Sequence, residues 1–301
     1  MNRDQYVLAY VYNDCIYGKG WCYIPKGNLD GSQFQLVGGG TATISIGVDT
    51  NRTHWVIKQI YSEPDLHIYA CEHMAHCIPP SFVACIQEPC GVKRWYLYSL
   101  LIPDKTISMD LHDCICMYQA ENPLPSDLIL SICRGLIECV CNLNTFAVHR
   151  DISPENFLLT SVNGFWMIQL IDLDDMISPW VVDFEGNLGP NQRYEPLRGK
   201  PKYIAPELIR AAKDPSYRPE LIPADLWSLG CVILVLMGIY WEQGDGFHRS
   251  LFKSGCTDDL LAINLPDHLK QSMESTATQT LCSIVKSLLC LEPSERKIVN
   301  G

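Results

Sequence analysis

Hydrophobic spacing changes period part-way along this chain of 301 residues, and that change limits the folds open to it. From about Phe34, the short runs "FQLVGGG", "TATISIGV", "HWVIKQI" and "RWYLYSLLI" alternate apolar and polar residues, broken by Gly, Asp and Asn. A period of two puts one face of a strand inward, so these read as strands, with "DTNRT" as a turn. Between the last two, "SEPDLHIYACEHMAHC" reads as one short helix. After Pro125 the period becomes helical: "SDLILSICRGLIECVCNLN" places Leu128, Ile132, Leu136 and Cys139–Val140 on one face, with Ser126 as N-cap. Two strand-like runs, "NFLL" and "WMIQLIDL", follow, and from about Pro206 the pattern is mostly helical, punctuated by Pro and Gly. Strands in front and helices behind predict an α+β protein of two lobes with a cleft. Residues 1–33, rich in Tyr, Gly and Cys with weak alternation in "YVLAYVY", read as an extension: an extra strand or a loosely packed segment.

Composition narrows the function classes. With 47% apolar residues, the chain has the makings of a globular core. A net charge of −11 argues against a sequence-independent grip on nucleic acid, which needs surplus Lys and Arg. "MNRDQYVLAY" has neither the basic region nor the apolar core of a signal peptide. The apolar run "LGCVILVLMGIYW" at 229–241 is too short to span a bilayer and reads as a buried helix, so membrane insertion is not expected. Fifteen cysteines without a CxxC pair suggest buried thiols in a reducing compartment, hence an intracellular, cytoplasmic or nuclear protein. Cys71, His73, His76 and Cys77 in "CEHMAHC" are too crowded for a tetrahedral zinc site.

The chemistry concentrates in "VHRDISPENFLL", residues 148–159. Phosphoryl transfer needs a cover for the phosphates, a cation to hold them, metal ligands and a base to orient the acceptor hydroxyl. Asp151 is the candidate base, and Asn156 offers an amide oxygen to a divalent cation. Asp172, ending the strand "MIQLID", supplies the hard anionic oxygen that Mg²⁺ prefers. Upstream, "VGGGTATISIG" forms a Gly-rich strand-turn-strand in which Gly38 and Gly40 let the backbone approach phosphate. "WVIK" ends a strand with Lys58, and Glu72, 14 residues on within the predicted helix, is placed to pair with it.

In this order and at these spacings, "VIK", "HRDISPEN", "IDLD", "KPKYIAPEL" and "ADLWSLG" make the chain resemble the eukaryotic protein kinase family, from about Phe34 to Arg296. "YIAPEL" and "DLWSLG" are the most specific of these. The resemblance implies a bilobal fold, with a small β-rich N-lobe at about 34–103 and a larger helical C-lobe at about 104–301. It implies ATP and Mg²⁺ as cofactors and a protein as substrate. By resemblance, Gly38 and Gly40 cover ATP, and Lys58, paired to Glu72, contacts its α- and β-phosphates. Val56 and Leu158 enclose the adenine, Asp151 is the catalytic base, and Asn156 and Asp172 hold Mg²⁺. Glu207 pairs with Arg296, and Asp225 braces the catalytic loop.

Departures from the family pattern set two readings against each other. Thr43 stands for the third glycine of the phosphate loop, and Asp174 for the glycine of the metal-binding triplet. Ser153 stands where Ser/Thr kinases have a lysine that contacts the γ-phosphate, and Lys200 where they have a threonine. The two residue types are exchanged. On one reading, Lys200 reaches back to the γ-phosphate and the chain is an ATP- and Mg²⁺-dependent kinase acting on Ser/Thr. On the other, the chain is a kinase-like scaffold that binds a partner and transfers nothing. His76, one helical turn after Glu72, is polar where an active lobe has an apolar contact, and favours the second. The segment from Pro179 to Lys202 contains no Ser or Thr, so activity independent of phosphorylation there is expected, with Asp183, Glu185 or Glu195 answering Arg150.

Overall fold

Among the described residues of the N-terminal part of the chain, seven strands close into one ring, in the order β1-β2-β3-β4-β5-β7-β6. They are β1 (Leu8–Tyr12), β2 (Cys15–Gly18), β3 (Trp21–Tyr23), β4 (Ile44–Asp49), β5 (His54–Ile60), β6 (Ser81–Gln87) and β7 (Lys93–Leu100). The computed structural model describes residues 8–12, 15–18, 21–23, 44–49, 54–61, 63–87, 92–102, 108–119, 123–162, 165–182, 188–191, 197–240, 261 and 265–298. The chain divides into two units, Met1–Ser108 and Met109–Gly301.

Within the first unit, β5 buries one residue on each face: Val56, Lys58 and buried Ile60 share one side, and buried Ile57 lies on the other. Its register sets Val56 opposite Ile46 on β4 and Ser99 on β7. Strand β1 runs parallel to β6, with Leu8 opposite Cys85, and β3 pairs with β4. Strands within residues 1–33 are therefore members of this sheet, and the unit extends to Ser108, past the boundary near 103 suggested by the sequence. Helix α1 (Pro64–His73) starts at a proline, whose missing N–H costs nothing there, and ends where Met74 N–H returns to Ala70 O at 2.9 Å. His67, Ile68 and Ala70 are its buried residues, and Ile68 packs with Ile60 and Val83.

The second unit is helical around a small sheet. Strand β8 (Ser108–Asp110) leads into α2 (Leu111–Gln119), capped by Asp110 Oδ1, which accepts from Asp113 N at 2.7 Å. Helix α3 (Ser126–Asn144) follows the predicted span, but its cap is Pro125, without a side-chain bond, and Ser126 is already helical. Ile129, Ile132, Cys133, Leu136, Cys139, Val140 and Leu143 are buried; Leu128 is only half-buried. Strands β9 (Phe157–Val162) and β10 (Phe165–Leu170) form a hairpin beside β8. Gly135 lets α3 approach it: a Cβ there would lie 2.5 Å from Ile168 Cγ1.

A short pair, β11 (Trp180–Val182) and β12 (Leu188–Pro190), precedes α4 (Pro206–Lys213), α5 (Ile222–Leu236), α6 (Asp267–Gln271) and α7 (Thr276–Leu288). Helices α3, α5 and α7 pack on one another, and α5 is buried along most of its length, as its apolar run requires. Among the described residues no helix is long and apolar enough to cross a membrane. Glu207 and Arg296 form a bidentate ion pair at 2.5 and 2.8 Å, their side chains 3% and 0% exposed, with the guanidinium over the Trp227 ring. Cysteines 77, 85, 114, 133, 139, 231 and 282 are buried thiols, and burial raises the Cys114 thiol to about 11.

Candidate active site

The loop between α3 and β9 is fixed from beneath by one buried carboxylate. Asp225 Oδ2 accepts from His149 N at 2.7 Å and from Asn144 Nδ2 at 3.0 Å, while Oδ1 accepts from Arg150 N at 3.0 Å. Arg150 can therefore hold a left-handed backbone, φ 70°, that its side chain alone would disfavour. His149 is buried too. Its Nδ1 accepts from Asp151 N at 3.3 Å, so Nε2 carries the proton and donates to Ile171 O at 3.0 Å.

Above this support sits Asp151. Its Oδ2 accepts from Asn156 Nδ2 at 3.0 Å and its Oδ1 from Lys200 N at 3.1 Å. Burial pushes the Asp151 carboxyl above the ordinary aspartate range, against the opposing effects of His149, Asn156 and Lys200. Asn156 Nδ2 also donates to Asp151 O at 2.7 Å, which orients the amide. Its oxygen is the atom free to meet a cation.

The hairpin register brings the second oxygen donor alongside. Phe157 faces Leu170, and Ile171 N donates to Asn156 O at 2.8 Å, so Asn156 and Asp172 leave β9 and β10 at the same end. Asp172 has φ 60°, and Leu173, buried, begins a 3₁₀ turn through Asp175. An amide oxygen and a carboxylate here fit a hard divalent cation. The left-handed residue is thus Asp172 and not Asp174, the position where the family has glycine. Leu158, half-buried, alternates with buried Phe157 and Leu159.

Lys200 enters the loop from the far side. Gly199 precedes it at φ 84°, where a Cβ would lie 2.5 Å from Arg150 O, so only glycine lets the chain pass this close. Lys200 Nζ then donates to Ser153 Oγ at 3.0 Å and pairs with Glu155 Oε2 at 2.8 Å. Although burial works against ionisation, the hydrogen bond from Lys200 holds the Glu155 carboxyl below its ordinary range. Glu155 went unnoticed in the sequence, because an acid beside an Asn reads as a solvated turn residue. Arg198 pairs with Asp175 at 3.8 Å.

In the first unit, Lys58 and Val56 occupy β5, and Lys58 is close enough to His67 on α1 to oppose its protonation, after burial itself. Glu72 is exposed near the end of α1, and no ion pair joins it to Lys58 among the described residues. The helix stops at His73, so His76 lies beyond it in a turn. Cys71, His73, His76 and Cys77 are not gathered into a metal-ligating group. Gly38, Gly40, Thr43, Asp183, Glu185 and Glu195 lie outside the described residues.

The sequence profile of the protein kinase domain matches residues 98–299, more than half of the chain. The chain belongs to the protein kinase family. Its α+β architecture, a β-rich unit followed by a helical one, is the two-lobed fold of that family. This kinase domain is 35% identical over 111 residues to the bovine phosphorylase b kinase gamma catalytic chain, liver/testis isoform, across 36% of the chain and 24% of that protein. It is 28% identical over 174 residues to calcium-dependent protein kinase 26 of Arabidopsis thaliana (56% and 30%). It is 25% identical over 183 residues to rabbit serine/threonine-protein kinase 17A (60% and 40%). The matched stretch spans less than half the length of each of these relatives.

Proposed function

We propose that this kinase domain transfers the γ-phosphate of ATP to Ser or Thr hydroxyls of a protein substrate, with Mg²⁺. One observation carries the reading: the ammonium of Lys200 stands 3.0 Å from the hydroxyl of Ser153, two residues after the base. A cation is thereby retained on the catalytic loop from a different backbone position.

Asp151 orients the acceptor hydroxyl and takes up its proton, its carboxylate aimed by Asn156 and by the Lys200 amide. Lys200 contributes positive charge where charge develops on the transferred group. Bound Mg·ATP supplies the phosphoryl group and further neutralising charge. Asn156 and Asp172 would hold the metal, and Lys58, Gly38 and Gly40 the phosphates, with Val56 and Leu158 against the adenine. Glu72 would orient Lys58 by swinging inward from its exposed position. Buried thiols of raised pKa accord with an intracellular setting, cytoplasmic or nuclear.

Exposure of Glu72 favours a second reading, in which the domain binds a partner without transferring phosphate. The two separate on one assay: labelled ATP, Mg²⁺ and a generic basic protein, with Asp151→Asn alongside and the labelled residue identified. Phosphoserine or phosphothreonine reduced about 10²–10⁴-fold by the substitution is the expected result. Absence of label in both proteins across several acceptors would leave the scaffold.

A further inference from the structure

We infer that Glu155 is a positioning residue for Lys200; this rests on the reading of Lys200 as the cation of phosphotransfer. A lysine ammonium has three N–H donors on a stem of high rotamer freedom, so it acts at a defined point only when something fixes it. Here two groups fix it. One N–H donates to Ser153 Oγ at 3.0 Å, and the charge of the ammonium is met by Glu155 Oε2 in an ion pair at 2.8 Å. An ammonium so held can still offer an N–H to an anion.

Both acceptors belong to one rigid piece of chain. Pro154–Asn156 is a single 3₁₀ turn closed by Asn156 N donating to Ser153 O at 3.0 Å, and Ser153 and Pro154 are buried. Ser153 and Glu155 therefore reach Lys200 from one short turn, attached to Asp151 through Asn156. Lys200 is held to the same piece at its other end by its backbone N–H on Asp151 Oδ1 at 3.1 Å. With main chain and ammonium both tied to residues 151–155, the side chain is clamped at two points. Ser153, 0% exposed, is a hydroxyl too short to fix the ammonium alone, and Glu155 supplies the charge that does. The Glu155 and Lys200 side chains are 39% and 40% exposed, so solvent screens the pair and its role is direction, not stability.

The test measures the pair apart from catalysis. Full-length protein is treated briefly with an amine-acylating reagent at one pH, and labelling of Lys200 is read by mass spectrometry, with Lys202 as internal reference. In Glu155→Gln, Lys200 labelling is expected to rise about 2–5-fold, the range for a partly exposed ion pair. Turnover of Mg·ATP is expected to fall about tenfold with KM for ATP nearly unchanged, as for a misplaced catalytic group. Glu155→Asp should restore part of it, and Glu155→Gln should cost nothing further in a Lys200→Ala background. Unchanged labelling, or losses that add in the double variant, would overturn the proposal. If Lys200→Ala alone turns over like the wild type, the parent reading of Lys200 fails instead. That outcome is distinct, because increased labelling in Glu155→Gln still registers the ion pair.

Discussion

Two short motifs, one on a loop and one on a helix, come out of the structure differently. Residues 149–156 are tied down by Asp225 below, His149 within and Lys200 above. On α1, the acid expected to meet Lys58 faces outward, and the buried polar residue is His67, bonded through Nδ1 to Glu63 O at 3.3 Å. The loop shows that a precise local geometry can be held by one buried carboxylate and the backbone N–H groups it receives, all from one unit. The helix shows that a residue matching a motif in type and approximate spacing need not be on the face the motif requires.

Substitutions can break or sharpen this contrast. The largest effect is expected at Glu207→Ala, which strands the buried Arg296 guanidinium: about 3–5 kcal/mol of stability by urea unfolding. Asp225→Ala leaves the His149 and Arg150 backbone N–H groups unanswered and should cost about 2–3 kcal/mol while also lowering phosphotransfer. A loss under 1 kcal/mol would mean, roughly, that the loop is held by packing instead. Gly199→Ala forces a side chain against Arg150 O at positive φ, for about 1–3 kcal/mol, with the strain falling on Asp151.

A subtler test uses pH. Burial raises the Asp151 carboxyl and the charge of Lys200 lowers it, so the ionised base should be lost at a higher pH than for an ordinary aspartate. In Lys200→Ala the acid limb of kcat/KM should move to still higher pH; a shift downward would place Lys200 elsewhere in the working enzyme. Smallest of all, Glu72→Ala should change stability by within about 0.5 kcal/mol, as for an exposed side chain. A large loss of phosphotransfer there would show that α1 turns when nucleotide binds.

What the sequence made legible follows the same division. Loop residues contiguous with Asp151 are placed by the local chain and by the tight β9–β10 hairpin that follows, so the spacing from Asp151 to Asn156 translates directly into geometry. The long amphipathic α3 was also readable, because its buried residues recur over several turns; only its cap was misplaced, since Pro125 sets the first turn without a side-chain bond. Helix α1 is 10 residues with polar and apolar groups intermixed, too short for periodicity to choose between His67 and Glu72 as the inward residue. Strand β6 was hidden because "SFVACIQ" alternates weakly and gains its order from β7 and β1, partners distant in sequence. The exchange of Ser153 and Lys200 was visible as residue types. Glu155, which completes it, was not, since nothing along the chain announces that residue 200 returns to it.

The first three strands have a bearing on how this domain can be handled. They lie between β4 and β6 and supply the pairing that closes the ring. A fragment begun at Phe34, where the motif-bearing sequence starts, would lack them and would bare the main-chain groups of two strands at once. Such open borders recruit neighbouring chains. Self-association of the shortened protein would then reflect a missing seam, not a fault in the catalytic half.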